Sequence, residues 1–351
     1  MFVSKRGTIG LDIGSRYLKL AQLNAGREGY ELSLFSMMPI EKDVISDGLV
    51  INKSKLVSAL KALFNQAGVK KSDVAIGLSG HSSVITKVIK VPQITEDELS
   101  LNIKYEAEQY IPFDIKDVNI DFEILGPARD EEGMMDVMLV AVKKSVMADY
   151  VDAVQQAGMN PVVVDIDCFA VGNVYEMNYG ASDRRAIALV NIGACKTNIS
   201  IIKNGQPVFT RDTAVGSNAH TDALERTLNV TKDAAERIKL GERADGVKPE
   251  AVAEIMERTS DEIYAEIYRS FEYFRSSAGD EEIGGIVLSG GATLISGFVS
   301  LMSERLGIPV ETLEVLRKID LPEKTGASVR DVAPMAAVAI GLAMRSAGDR
   351  Q

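Results

Sequence analysis

Apolar and polar residues alternate over positions 8–13, 17–24 and 30–38, and Gly-bearing turns, "GS" and "NAGREG", separate the three runs. A period of two bounded by such turns predicts three strands in a meander. The period then lengthens. In "KSKLVSALKALFNQA", residues 53–67, Leu56, Leu60, Leu63 and Phe64 fall on one helical face, and the pattern stops before Gly68, a suitable C-cap. "DVAIGLSG" reads as a buried strand. Strand "VITKVIKVP" follows, and then "TEDELSLNIKYEAEQYIP", with Thr95 and Glu98 at capping-box spacing, Leu99, Ile103 and Tyr110 at helical spacing, and an end at Pro112. "VNIDFEILG" and "MDVMLVAVKK" are predicted strands and "SVMADYVDAVQQAG" a helix, so residues 83–158 run β, α, β, β, α, the order of a compact inserted α+β subdomain.

"MNPVVVDIDCFAVGNVYEMN" predicts a strand running into a helix, and the opening pattern then returns in "AIALVNIGACKTNISIIKNGQPVFT" as strand, Gly turn, strand, Gly turn, strand. This self-similarity predicts a duplicated architecture with both strand turns facing one cleft. A helical segment is expected over 217–278. A strand, Gly-Gly turn and helix are expected in "IGGIVLSGGATLISGFVSLMSERLG", and a small-residue helix in "APMAAVAIGLAMRS".

The 351 residues are 46% hydrophobic and 25% charged, enough for two or more packed domains. A net charge of −11 argues against broad binding to nucleic acid or anionic membrane. Cys168 and Cys195 are expected to be free, buried thiols, and with His81 and His220 as the only histidines a zinc site is disfavoured. The histidines are expected in loop or capping roles. The acidic runs "TEDE" and "ARDEEG" read as a helix start and a solvated hairpin tip. No apolar run approaches the roughly 20 residues that span a bilayer. The expectation is therefore a cytosolic protein.

Candidate chemistry sits in the turns. In "LDIGSRYLK", Asp12 ends an apolar strand, where a carboxylate is costly unless paired, hydrogen-bonded or facing a cation. Such a turn is either an ordinary hairpin or a cradle of backbone N–H groups for phosphate, with Asp12 holding the waters of a Mg²⁺ ion and Lys19 or Ser15 meeting phosphate. "VNIGACKTN" repeats it, and Gly290-Gly291 lets a ligand approach the backbone closely. There is no GxGxxG and no Gly-Lys dipeptide, which excludes a Walker-type phosphate loop.

The ordered set "GLDIGSRYLK", "VDIDCFAVGNVY", "VNIGACKTNISI", "AVGSNAHTDAL", "AERIKLGE", "IVLSGGATLISG" and "PMAAVAIGLA" resembles the phosphate, connecting and adenosine segments of the actin, Hsp70 and sugar-kinase ATPase superfamily, with an FtsA-like texture. "VPQITEDELSLNIKYEAEQYIPFDIKDVNIDFEILG" resembles the inserted subdomain of the PilM family of type IV pilus assembly. The resemblance implies an α/β, two-lobed, actin-like (ribonuclease H-like) fold with ATP and Mg²⁺ between the lobes. It implies subdomain 1A over 1–82 and 159–185, 1C over 83–158, 2A over 186–216 and 283–331, 2B over 217–282, and a C-terminal helix, 332–351, returning to 1A. By motif position, Asp12, Gly14, Ser15 and Lys19 belong to the first phosphate loop, and Asn191, Gly193 and Thr197 to the second. Gly216 approaches the nucleotide, Glu236 and Lys239 flank ribose and base, and Gly290 and Gly291 form the adenosine loop. Asp167 matches the residue that positions attacking water, with Asp165 nearby, and Asp12 the Mg²⁺ contact through water.

One departure bears on activity. Asn191 stands where the superfamily carries Asp, and an amide brings no negative charge to a cation or an activated water. ATP binding with weak or no hydrolysis is one reading, and a tolerated near-isostere the other. As partner, the resemblance implies the N-terminal cytoplasmic peptide of PilN, docked between 1A and 1C at the cytoplasmic face of the inner membrane. Contacts with pilus motor ATPases and self-association are further expectations, and the membrane is reached only through partners. The alternatives on this fold are a sugar or metabolite kinase and an FtsA-like polymer.

Overall fold

The computed structural model describes residues 7–26, 29–128, 131–180, 185–243, 246–277, 281–322 and 329–349. Arg27 and Glu28 of the second predicted turn, and Arg129 and Asp130 of the acidic tip, lie outside them. The chain builds two sheets on one plan. In the first, strands Ile9–Ile13, Tyr17–Ala25 and Tyr30–Pro39 form the antiparallel meander, and Asp73–Leu78 and then Asn160–Ile166 add in parallel beside Ile9–Ile13. In the second, Ala186–Ile192, Thr197–Lys203 and Gln206–Thr213 form the meander, and Ile283–Ser289 and Val310–Thr312 add in parallel. The duplication read from the sequence is thus a duplication of sheet topology.

Between the halves, Val84–Pro92, Met134–Lys143 and Val118–Pro127 form a three-stranded antiparallel sheet, the middle strand last in sequence, which covers helix Glu96–Glu108. Thr95 caps that helix through a complete capping box with Glu98, which stabilises such a terminus by ~1 kcal/mol. Leu99, Ile103 and Ala107 form its buried stripe. The next helix, Lys144–Gln156, turns Val146, Tyr150, Ala153 and Val154 into the core of the first sheet, against helix Lys53–Gln66. The final helix, Ala337–Ala343, is wholly buried beside Ile9–Ile13 and helix Asp167–Tyr179. Its small side chains are required there: a Cβ on Gly341 would sit 1.9 Å from the Ala170 carbonyl oxygen, and one on Gly10 2.0 Å from that of Ala339. The predicted helical segment 217–278 is three helices, Asn218–Leu228, Lys232–Lys239 and Pro249–Ser277. Asn229, at φ 53°, ends the first, and Thr231 caps the second.

Candidate functional site: a cleft between two matched hairpins

The first turns of both meanders close alike. Gly14 N–H donates to the Tyr17 carbonyl at 3.2 Å, and Gly193 N–H to that of Lys196 at 2.9 Å. Both glycines line one cleft of about 880 Å³, its open mouth included. The cleft is also lined by Asp12, Ser15, Lys19, Asp167 and Asn191, and on its far side by Glu236, Lys239, Gly290 and Gly291. Eleven of the thirteen residues singled out in the sequence therefore meet at one place. Two do not line it. Thr197 is buried, its Oγ1 donating to the Val215 carbonyl at 2.8 Å, and Gly216 is where the backbone crosses the second turn, a Cβ there lying 2.6 Å from the Ala194 carbonyl oxygen. Asp165 lies outside the cleft as well, on another groove, with Arg345 Nε 3.5 Å away.

The hairpin register pairs Asp12 with Lys19 and Asn191 with Asn198. Asp12 is buried, and Lys19 Nζ donates to its Oδ2 at 2.5 Å. Burial raises the Asp12 carboxyl above the ordinary range, Lys19 pulling the other way. At the equivalent pair the charges are gone: Asn191 Nδ2 donates to Asn198 Oδ1 at 3.2 Å and Asn191 Oδ1 accepts from Ser289 Oγ at 3.1 Å. An aspartate at 191 would have no lysine opposite it. The amide satisfies itself within its own lobe.

Asp167 begins helix Asp167–Tyr179, where the helix dipole favours a carboxylate, and Gly77 leaves the space for it, since a Cβ there would lie 2.2 Å from Asp167 Oδ1. Its Oδ2 accepts from Ser79 Oγ and from Lys196 Nζ, the latter at 3.2 Å and from across the cleft. Lys196 also donates to Ser79 Oγ. Burial would lower the Lys196 ammonium, but Asp167, Tyr150 and Asp212 outweigh it and hold it above the ordinary lysine range. On the far side, Lys239 Nζ lies 2.7 Å from Glu236 Oε1, Thr221 Oγ1 donates to Glu236 Oε2 at 2.6 Å, and Arg16 reaches over from the first turn to 3.6 Å from Glu236. Burial lowers Lys239, with Glu236 opposing it. Glu236 is itself pulled down against its burial by the hydrogen bond from Lys239.

Arg16, Ser79 and the role of Lys196 were not singled out in the sequence, because their partners lie far off along the chain and, for Arg16 and Lys196, across the cleft. A signal existed for Lys196: a cation inside a glycine turn beside a cleft. Cys195 departs from expectation, being half-exposed with Asn218 Nδ2 at 3.3 Å from its sulfur, whereas Cys168 is buried, and burial pushes its thiol well up. His81 is exposed in a loop beside Asp47, but His220 sits buried within its helix, bonded to Ser260 Oγ at 2.9 Å.

The family profile described as type IV pilus assembly protein PilM matches residues 10–347. The chain belongs to the PilM family. A solved PilM chain from a PilM-PilN type IV pilus biogenesis complex superposes with a TM-score of 0.85 at 27% identity, over 97% of this chain and 98% of that one. Outside the PilM family, MreB 5 of Spiroplasma citri bound to AMPPNP shares the fold, with a TM-score of 0.53 and 14% identity over 96% of this chain and 95% of the other. The cell division protein FtsA of Streptococcus pneumoniae serotype 2 (strain D39 / NCTC 7466) is 24% identical over 346 residues, 86% of this chain and 74% of the relative. This PilM-family chain therefore has the mixed α/β, actin-like ATPase fold expected from its sequence. No helix among its described residues is long and apolar enough to cross a membrane.

Proposed function

We propose that this chain is an adaptor of type IV pilus assembly that holds a nucleoside triphosphate between its lobes and docks the N-terminal cytoplasmic peptide of PilN, and so works at the cytoplasmic face of the inner membrane. The subdomain boundaries are those implied by the family resemblance. The observation that carries the docking is a second groove of about 1750 Å³, open side included, bounded by the edge strand Asn160–Ile166 of the first sheet and the edge strand Val118–Pro127 of the inserted sheet. Edge strands offer unpaired backbone groups to an extended peptide, and Val162, Val164, Phe122 and Val140 supply apolar contact between them. The PilM relative was solved as a complex with PilN. In this reading, calorimetry with a synthetic peptide of the PilN N-terminus gives one-to-one binding. Phe122→Asp, which puts a charge on the groove wall, is expected to weaken it at least about tenfold. Equal affinity in the variant would remove the groove from the account.

For the nucleotide, Gly14 and Gly193 keep side chains off both turns, and Gly291, with nothing nearer than 3.9 Å to a Cβ, leaves open space that packing does not require. Lys19, Lys196 and Arg16 are cations available to phosphate, and Glu236 and Lys239, which also line the cleft, are read as flanking ribose and base. The residues do not build a metal cage. Among the described residues no three His, Cys, Asp or Glu side chains are grouped to hold an ion, and Asp12 already has Lys19 on it. A Mg²⁺ ion would arrive on the phosphates, with Asp12 reaching it through water. Hydrolysis is expected to be weak or nil, because Asn191 cannot take a proton from water.

A further inference from the structure

Among the described residues, Lys196 is one of two cations of the cleft that reach across it, the other being Arg16, which meets Glu236. Lys196 stands in the second turn, in the lobe of Ala186–Ile192, yet its ammonium reaches Ser79 and Asp167 of the first lobe. Lys19 is committed to Asp12 within its own hairpin, and Lys239 to Glu236 within its own helix. Lys196 alone of these three bridges the lobes, at the floor of the cleft and between the two turns.

Resting on the reading of this cleft as a nucleotide site, we infer that Lys196 is the residue by which the chain distinguishes a triphosphate from a diphosphate. It trades its contact with Asp167 for the terminal phosphate and supplies positive charge there beside any divalent cation that arrives with the nucleotide. The chemistry is a competition between two anions for one ammonium. Both contacts are charge-assisted, but a terminal phosphate carries more negative charge and more acceptor oxygens than one carboxylate, and little solvent screens the difference in a half-buried floor. A diphosphate ends one phosphate short and leaves Lys196 on Asp167. The neutral Asn191–Asn198 pair fits the same picture, since the second hairpin offers no carboxylate of its own to a metal ion and Lys196 is the cation that its turn brings to the cleft. Asp167 thereby acts as the resting counter-ion of Lys196, and its removal should favour the triphosphate.

Fluorescence titration of the full chain with mant-ATP and mant-ADP, in Mg²⁺, tests this. The wild type is expected to hold mant-ATP about tenfold or more tighter than mant-ADP. Lys196→Met should bring mant-ATP down to the affinity of mant-ADP, while Asp167→Asn should tighten mant-ATP and leave mant-ADP within about twofold. Because Lys196→Met leaves Asp167 without its ammonium, the double variant Lys196→Met, Asp167→Asn removes both charges together, with folding checked by circular dichroism, and it too should lose the preference. A variant lacking Lys196 that still prefers mant-ATP overturns the inference while leaving the nucleotide site standing. A wild type that binds neither nucleotide overturns both.

Discussion

At the scale of single residues, the two hairpins answer one problem in two ways. Asp12 is paired in its buried setting with Lys19, which stands opposite it in register and opposes the effect of burial, and Asn191, facing Asn198, carries no charge. His220 extends the argument to pH. It is buried against Ser260, with the Phe298 ring 6.0 Å away and Lys239 adding repulsion, and burial lowers its pKa to about 4. An unfolded histidine titrates near ~6.5, so between these values the unfolded chain binds the extra proton and stability falls as pH falls, by up to about 3 kcal/mol. Asp12, Asp165 and Asp212 act in the opposite sense, since burial raises each, and their contribution is lost as pH rises through the raised values. Comparison with His220→Gln isolates the histidine. Urea unfolding at several pH values should show the wild type losing more stability than the variant between pH ~6.5 and ~4, and parallel curves would exclude it. The positions of the candidate residues could be read from the sequence, but their ionic partners could not, because Lys196 and Asp167 are 29 residues apart and meet only across the cleft.

At the scale of elements, the tightest constraint is backbone against backbone under the final helix. Gly341→Val forces a side chain into the Ala170 carbonyl and should cost about 1–3 kcal/mol or more in urea unfolding. Gly172 is a matched control: it lies within a helix with nothing within 4 Å of a Cβ, so Gly172→Ala should leave stability unchanged or raise it by about 0.5–1 kcal/mol. Similar costs for both substitutions would contradict this packing. Helix Lys53–Gln66 was legible because its stripe and Gly68 agree, and strand Tyr17–Ala25 because its burial alternates over most of its length. The segment 217–278 was legible only as helical, because its breaks are single residues inside helix-favouring sequence. The expected helix after Gly290-Gly291 begins instead as a short 3₁₀ turn, Gly291–Leu294, and restarts after Gly297 at φ 78°. The C-terminal run likewise starts as a 3₁₀ segment containing Pro334 before the α-helix proper.

At the scale of the whole molecule, the lobes share an apolar core, in which Ala170, Val171 and Val174 of the first pack with Ile187, Leu189 and Val287 of the second, and polar contacts cross between them, among these Arg16 to Glu236, Lys196 to Asp167, Gly80 N–H to Asp212 Oδ2 at 2.8 Å, and Gln206 Nε2 to the Leu125 carbonyl at 3.1 Å. Two of these cross the proposed nucleotide cleft. The peptide groove lies beside the same floor, since Ile166 of the groove directly precedes Asp167 of the cleft. Any ligand that moves Asp167 therefore acts on a residue next to the docking edge, and by linkage the two ligands would change each other's affinity by the same factor. The duplicated sheets were visible in the returning turn pattern. The inserted sheet's strand order and the groove beside it were not, because a period of two fixes which face of a strand is buried but not which edge is left open. The most direct test is a crystal structure of the full chain with the PilN N-terminal peptide and ATP. The account expects the peptide extended along Val162–Val164 and the nucleotide between the Gly14 and Gly193 turns, with Lys196 on its terminal phosphate. A peptide bound away from the Asn160–Ile166 and Val118–Pro127 edges would contradict it.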